Sequence, residues 1–412
     1  MIFKRSKIYV LIFIFAFIIY FTQDYTLINI EKTALIVTLG VDKTENDFVV
    51  TAQIAVPEGS SSRSTNKEAV LSSNGKTIYE AISSISDKTG WYPKLSFCNL
   101  IVLGESMLTE NVMDVLLFFI RSYKIEDSAI VCSVKGEAKE LLLSSSPLDT
   151  ISGLSLSKIF VKDYESASKV YTTSIKDFCI NYYSRSSYGY MPFVKTVMTD
   201  ESGKGGKSVS ASTTTEPESG SGGNGGKGGS GGQSGGEQQL VIYDATTCHL
   251  FNKGYFVCEL NGDESLCLSL LYRRVKEAFI TINATDNDGN TGDILIDILK
   301  SRKSINLVLD DNIPTLNIDV KVWARVSDAS FSENINQVAN LGKLNDNMKF
   351  KTESFIKEKI EGILEKSKKY ECDIFEVKNL LYKYYPKKYN ENYLKILDNL
   401  QLKINVTCLN YL

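Results

Sequence analysis

Residues 34–59 read ALIVTLGVDKTENDFVVTAQIAVPEG, and this stretch sets the class of the fold. Apolar side chains alternate with others along two runs, one on each side of a polar turn at residues 43–47. The first face is Leu35, Val37, Leu39 and Val41, and the second is Phe48, Val50, Ala52, Ile54 and Val56. Strict alternation predicts a β-hairpin with one buried face.

The chain that follows the hairpin adds helices to this sheet. A Ser-rich loop is expected over residues 58–73, and Thr77 with Glu80 forms a capping-box pattern that opens a helix ending at Gly90. Strands are predicted at 99–104 and 128–134, and helices at 110–122, 137–143, 154–168 and 174–184. The order predicts a layered α+β domain over residues 26–200.

Residues 201–239 break the composition. They hold half of the 28 glycines, and Val209 is the one large apolar residue among them. Such a segment buries too little surface to offset its ordering entropy. The sequence therefore predicts a disordered Gly/Ser-rich linker, a flexible tether with an r.m.s. span of about 34 Å.

A second α+β region is predicted over residues 240–412. Strands are expected at 240–243, 255–260, 278–284, 293–299 and 305–309, with a helix at 263–275. Alternation is strictest over residues 316–326, which predicts a long strand with one face on a core. A helix at 345–370 and a closing strand at 402–408 complete a mixed architecture in which sheets pack against helices.

An apolar run, IYVLIFIFAFIIYF, occupies residues 8–21 behind Lys4, Arg5 and Lys7. Fourteen helical residues cover roughly 21 Å, which is less than the roughly 30 Å hydrocarbon core of a bilayer. The run is either a cleaved export signal or a retained anchor whose flanking lysines snorkel; a buried core helix is disfavoured because the run has no polar edge. Bulky residues fill the cleavage window, which favours an uncleaved anchor over residues 1–24 with the bulk of the chain outside the membrane. The predicted anchor residues are Ile8, Leu11, Phe15, Ile18 and Phe21.

Little in the sequence points to chemistry. The net charge of −3 gives no basic surplus for nucleic acid. His249 is the only histidine, and its spacing from the cysteines matches no zinc site, so a strand residue beside a turn is the better interpretation. Asp286, Asp288 and Asn290 begin like a calcium loop, but Thr291 stands where glycine is required, so we interpret them as a β-turn. We predict no catalytic, cofactor or metal residues, and we interpret the eight cysteines as buried free thiols.

Several stretches carry a family resemblance. They are IEKTALIVTLGVDKTENDFVVTAQIAVPE (30–58), GKTIYEAISSIS (75–86) with LSFCNLIVLGESMLTENVMDVLLFFIRS (95–122), IVCSVKGEAKELL (130–142), MPFVKTV (191–197) with ATTCHLFNKGYFVCELNGDES (245–265), and ECDIFEVKNLLYKYYPKKY (371–389) with LKINVTCLNYL (402–412). In this order they resemble the C-subunit family of nutrient germinant receptors in spore-forming bacteria, the GerAC-type or Ger(x)C family.

The resemblance implies a mixed α+β fold in three packed units and a non-enzymatic subunit on the outer face of the spore inner membrane. It implies A-type and B-type membrane subunits as partners. Asn29-Ile30-Glu31 stands where the family usually has a lipidated cysteine followed by Trp-Asp, so the retained apolar helix is expected to anchor the chain instead. Two alternatives stay open: an extracytoplasmic protein that binds a small amino acid or sugar, and an envelope hydrolase, for which no nucleophile and base stand out.

Overall fold

The computed structural model describes most of the chain. The described residues are 11–20, 33–55, 68–121, 125–147, 149, 151–161, 169–198, 241–273, 275, 277–286, 289, 291–310, 313–330, 342–392 and 397–411. The predicted linker at 201–239 lies outside them.

Two sheets and a set of helices make up these residues. The strands are β1 Thr33–Lys43, β2 Phe48–Ala55, β3 Glu68–Gly75, β4 Tyr92–Lys94, β5 Leu100–Leu103, β6 Ile130–Val134, β7 Tyr188–Met198, β8 Val241–Asn252, β9 Tyr255–Leu260, β10 Ala278–Thr285, β11 Thr291–Asp310, β12 Ile313–Ala329 and β13 Gln401–Asn410. The helices are α1 at residues 11–20, α2 Ile78–Thr89, α3 Val112–Arg121, α4 Ala138–Leu143, α5 Ser152–Val161, α6 Ile175–Tyr183, α7 Gly262–Tyr272, α8 Asp346–Lys369, α9 Val377–Tyr384 and α10 Pro386–Asn392. The predicted α+β class is confirmed.

The first sheet has the order β3-β2-β1-β5-β6-β7-β8-β9, with β4 paired to the start of β1. Strands β1, β5, β6 and β7 run parallel to one another, and antiparallel pairs flank them on both sides. Helices α2, α3 and α6 supply buried residues to one hydrophobic core of this sheet, while α4 and α5 supply another. The sheet is therefore covered on both faces, as parallel strands require.

The predicted hairpin is confirmed as β1 and β2, but the predicted face of β1 is wrong in its first half. Ile36 is fully buried, whereas Leu35 and Val37 are only half-buried. A register shift between Ile36 and Thr38 marks a bulge. A bulge inserts one residue and so moves the alternation to the other face, which places Ile36 in the same core as Leu39.

The Ser-rich loop expected at 58–73 is also wrong at its end, because β3 begins at Glu68 and pairs with all of β2. Its sequence, EAVLSSNG, is polar because β3 is the edge of the sheet and keeps only part of its surface on the core. Helix α2 follows as predicted: the Thr77 side chain accepts a hydrogen bond from the Glu80 amide, and Gly90 ends the helix in the left-handed region with φ 71°.

The second sheet has the order β10-β11-β12-β13. The strands predicted at 293–299 and 305–309 are one continuous strand, β11, which pairs antiparallel with β12 along nearly its whole length. The alternation predicted for residues 316–326 is confirmed, with six fully or nearly buried side chains on one face of β12. Helix α8 covers this face, and Ile356, Ile360 and Ile363 pack into the core beneath it.

Strands β8 and β9 lie in the first sheet, although they follow residues 201–239 in the sequence. The last residue of β7, Met198, pairs with the first residue of β8, Val241. The Gly-rich segment is thus inserted between two neighbouring antiparallel strands. Helix α7 comes next and is buried on nearly all sides, in a core cluster that also holds residues of β7, β8, the second sheet and α8.

Candidate functional site

The predicted anchor coincides in part with α1. Leu11, Phe15 and Ile18 lie in this helix and are 70%, 63% and 52% exposed, while Ile8 and Phe21 lie outside the described residues. Within the part of the chain that the structure describes, no helix is both long and apolar enough to cross a membrane. The anchor therefore stays a prediction.

A crevice lies where three parallel strands of the first sheet end. The segments that follow the carboxyl ends of β1, β5 and β6 line a cavity of about 270 Å³. Its wall consists of Asp42, Lys43, Thr44, Val49, Glu105, Ser106, Gly136 and Glu137. In open sheets with parallel strands, ligands bind at this edge, so the chemistry of these side chains decides whether the crevice is a binding site.

Most polar groups of the crevice are already paired within the protein. The Asp42 carboxylate accepts hydrogen bonds from the amides of Ala138 (2.9 Å) and Lys139 (3.1 Å) and so caps α4 from a distant strand. Burial raises the pKa of Asp42, and these two amides act in the opposite direction. The Lys43 ammonium contacts Glu110 at 2.7 Å.

The loops that follow β5 and β6 are also held together by hydrogen bonds within the protein. The Glu105 amide donates to the Gly136 carbonyl (2.8 Å), and the Gly136 amide donates back to the Glu105 carboxylate (3.0 Å). A side chain at Gly104 is excluded, because a Cβ there would lie 1.8 Å from Asp42 Oδ1. The cavity is also smaller than the roughly 300–1,000 Å³ of ligand pockets. This arrangement fixes the strand ends and the start of α4.

The structure brings together a serine and a histidine that the sequence keeps apart. Ser133 Oγ lies 2.9 Å from His249 Nδ1, and the imidazole stacks on Phe193 with 3.9 Å between ring centroids. Phe256 also packs against the imidazole, with 4.5 Å between the ring centroids. His249 is 3% exposed and Ser133 is fully buried. Burial, and secondarily the Lys195 cation, lower the pKa of His249 to about 3.

This pair has the distance of a nucleophile and its base but not the exposure. A hydrolytic serine must meet a substrate carbonyl, whereas Ser133 lies inside the sheet, where it also donates weakly to the Pro192 carbonyl. The placement of His249 on a strand, in β8 beside the Asn252–Tyr255 turn, confirms its sequence interpretation. We interpret the pair as a satisfied core interaction.

Neither the cysteines nor the calcium-like residues form a metal site among the residues that the structure describes. All eight cysteines are free, and seven are buried; Cys258 is half-buried. Burial raises the pKa of Cys98 to about 12, and no described cluster of three or more His, Cys, Asp or Glu residues could hold a metal ion. Strands β10 and β11 flank the calcium-like residues and pair at Thr285 and Thr291, which agrees with a turn, while Asp288 and Asn290 themselves lie outside the described residues.

A further set of contacts joins residues 370–379, which link α8 to α9, to the first sheet. Asp373 is fully buried and accepts hydrogen bonds from the amides of Val377 (2.9 Å) and Lys378 (2.8 Å), which caps α9. Burial raises the pKa of Asp373, and the hydrogen bonds from these two amides act in the opposite direction. Glu376, with φ 56°, accepts from the Tyr188 hydroxyl of β7 at 2.6 Å.

Residues 370–379 also contact the turn between β8 and β9 and the segment before β7. Asn252 donates to the carbonyls of Tyr370 (3.3 Å) and Glu371 (3.2 Å). The Arg185 guanidinium lies 3.6 Å from the ring centroid of Tyr382, and its backbone amide donates to Asn379 (2.9 Å). We call residues 370–379 with these partners the inter-sheet joint; it sets the orientation of α9 relative to the first sheet.

Comparisons with known proteins account for both halves of this architecture. The family description "Spore germination protein N-terminal domain" matches residues 27–196, and "Spore germination B3/ GerAC like, C-terminal" matches residues 247–409. The chain belongs to the GerAC-type family of spore germination proteins. The resemblance read from the ordered motifs is confirmed.

The chain is also similar to individual proteins, over shorter or weaker matches. The chain is 30% identical over 124 residues to "Spore germination protein B3" of Bacillus subtilis (strain 168), which is 29% of this chain and spans about a third (33%) of that relative. A solved structure described as "Crystal Structure of the GerBC protein" is similar with a TM-score of 0.48 and 16% identity, over 90% of this chain and 96% of that one.

Sequence reasoning missed the crevice, the Ser133–His249 pair and the inter-sheet joint. Asp42 and Ala138 are 96 positions apart, and Ser133 and His249 are 116 apart. No periodicity or spacing relates such positions. The one sign in the sequence is the family motif at 371–389, whose Cys-Asp-Ile-Phe-Glu run contains Asp373 and Glu376 of the joint.

Proposed function

We propose that this protein is a non-enzymatic subunit of a nutrient germinant receptor. It acts in spore germination by assembling with A-type and B-type membrane subunits on the outer face of the spore inner membrane. The observation that carries the proposal is the match of both family descriptions, in order, over residues 27–196 and 247–409. Most polar groups of the crevice are paired and Ser133 is fully buried, so neither place is proposed as a catalytic site.

The N-terminal apolar segment is proposed as the anchor. Side chains such as Leu11 and Phe15 are largely exposed on α1, and leaving a large apolar side chain in water forfeits roughly 1.5–3 kcal/mol. A bilayer removes this surface from water. The basic residues Lys4, Arg5 and Lys7 then stay on the cytoplasmic side, and snorkelling with local thinning covers the short span.

Fractionation tests the anchor. Replacing Phe15 and Ile18 together with Asp should release the full-length protein from membranes or block its export, because charges in a bilayer core are strongly unfavourable. Phe350→Asp is the matched control, since Phe350 on α8 is 63% exposed, as Phe15 is, and should not affect membrane binding. A double variant that still sediments with membranes and resists salt would show that partner contacts hold the protein.

Assembly and germination are tested in the spore. Affinity capture of the tagged protein from solubilised spore membranes should recover the A-type and B-type subunits, and deletion of the gene should slow nutrient-triggered germination while sporulation stays normal. Normal germination, with no second gene of the same family present, would contradict the proposed role. Heat of binding on titration of the protein with amino acids or sugars would instead favour the small-ligand alternative.

A further inference from the structure

A small aromatic surface lies at the end of the first sheet where the chain enters β1. Strand β4 pairs in parallel with the first residues of β1: Thr33 lies opposite Tyr92, and Leu35 lies opposite Lys94. The loop that carries β4 therefore sits beside the point at which the N-terminal segment joins the folded body. We call the exposed side chains of Trp91, Tyr92, Lys94 and Phe97 the aromatic surface.

These aromatic rings are not part of a core. Trp91, Tyr92 and Phe97 are 48%, 49% and 55% exposed. The backbone beneath them is nevertheless fixed, because Leu95 and Cys98 are buried and the Cys98 amide donates to the Leu95 carbonyl (2.9 Å). Three exposed rings thus lie within residues 91–97, a short segment that its buried residues hold against the folded body.

The composition of this surface suits the interface of a bilayer. Trp and Tyr concentrate at the level of lipid headgroups, where the ring is buried and its polar atom stays wet. The Lys94 ammonium lies 5.8 Å from the Phe97 ring centroid, so a cation accompanies the rings. A lysine there favours contact with anionic headgroups.

Chain length keeps this surface close to the membrane. Roughly a dozen residues connect the end of α1 to Thr33, and even fully extended they reach at most about 45 Å. If the apolar segment lies in the bilayer, the amino end of β1 and the adjoining β4 must stay within that distance of it.

We propose that the aromatic surface docks on the outer leaflet of an anionic bilayer and orients the folded body on the membrane. This inference rests on the proposed N-terminal anchor and goes beyond it, because the anchor alone leaves the orientation of the body open. Docking adds a second, shallow membrane contact through Trp91, Tyr92 and Phe97.

The chain offers an internal control for a fluorescence test, because it has two tryptophans. The second, Trp323, lies on β12 of the other sheet, with the Lys300 ammonium 5.0 Å from its ring centroid. Full-length Trp323→Phe keeps Trp91 as the sole tryptophan, and full-length Trp91→Phe keeps Trp323; excitation near the red edge of absorption avoids the tyrosines. Each is reconstituted into phosphatidylcholine–phosphatidylglycerol vesicles with or without brominated chains; Trp323→Tyr replaces the first variant if circular dichroism shows that it does not fold.

Docking predicts that Trp91 emission shifts to shorter wavelength in vesicles and is quenched by the brominated lipid, while Trp323 emission does neither. Adding Tyr92→Ser and Phe97→Ser should reduce the quenching of Trp91 without releasing the protein from vesicles, since the anchor is intact. Vesicle flotation reports the anchor separately.

The outcomes are distinguishable. Protein that floats with vesicles while Trp91 is quenched no more than Trp323 overturns the docking and leaves the anchor standing. Protein whose Trp91 is quenched at equilibrium, but which is lost from the vesicles when they are floated in high salt, supports docking and overturns the anchor. Neither flotation nor quenching overturns both.

Discussion

The titration of a single residue, His249, should make the stability of the fold depend on pH. Its pKa is lowered to about 3 by burial and by the Lys195 cation, whereas an unfolded histidine titrates near 6.5. Between these values the unfolded chain binds a proton that the folded chain does not. The contribution of His249 to the free energy of unfolding is therefore fully present above about pH 6.5 and is lost as the pH falls toward 3.

The magnitude follows from the two pKa values. Lowering the pH from 7.5 to 5 should cost about 2 kcal/mol of unfolding free energy through this group alone. Carboxylates complicate the total: burial raises the pKa of Asp42 and Asp373, so their contributions rise as pH falls toward the ordinary value of 3.8. A variant that removes only the imidazole isolates its share.

His249→Phe is that variant, because a phenyl ring can keep the packing with Phe193 and Phe256. Urea unfolding of the full-length protein in detergent measures the free energy of unfolding. Between pH 7.5 and 5 we expect this free energy to fall by about 2 kcal/mol more in the wild type than in the variant. Since His249 is the only histidine, selective ¹³C labelling of the ring gives one resonance, whose titration reads the folded pKa directly. A resonance that titrates near pH 6.5, or equal pH slopes in both proteins, would refute the reasoning.

Three further changes test the packing. Gly153→Ala places a Cβ 1.9 Å from Thr38 Oγ1 and should destabilise by about 1–3 kcal/mol, whereas Gly342→Ala, which meets nothing within 4 Å, should be nearly neutral in thermal melts. Asp42→Ala removes both capping acceptors of α4 and should cost about 1–3 kcal/mol, with faster amide exchange at residues 138–139; unchanged exchange would contradict it. Replacing residues 199–240 by a four-residue turn should stabilise by about 2 kcal/mol through loop-closure entropy, measured by urea unfolding, and loss of folding would show that the segment has a structural role.

Local sequence patterns predicted the elements that can be recognised from residues close together in the sequence. The alternation of 316–326 identified β12, since one face of that strand is buried and the other is solvated. The Thr77 and Glu80 pair located the start of α2 because a cap involves only neighbours in the sequence. Strand β3 was missed because an edge strand with a polar surface has the composition of a loop.

Patterns that depend on distant partners stayed hidden. The bulge after Ile36 changes which residues of β1 face the core, and the hydrophobic alternation does not predict it. The crevice depends on Asp42 reaching the amides of α4, and the inter-sheet joint depends on Asn252 reaching carbonyls more than a hundred positions away. Such contacts follow from topology, which a single sequence specifies only through the fold as a whole.

The Gly-rich segment shows how composition and topology differ as guides to organisation. Its composition predicts a linker between two units, and the predicted bounds of 26–200 and 240–412 follow that break. Its ends, however, pair with each other as Met198 and Val241 in antiparallel strands of one sheet. Loop-closure entropy grows only slowly with length, so a long insertion between paired strands is tolerated. The first sheet is therefore complete only after β8 and β9 have joined it, and the core that they share with α7 couples it to the second sheet.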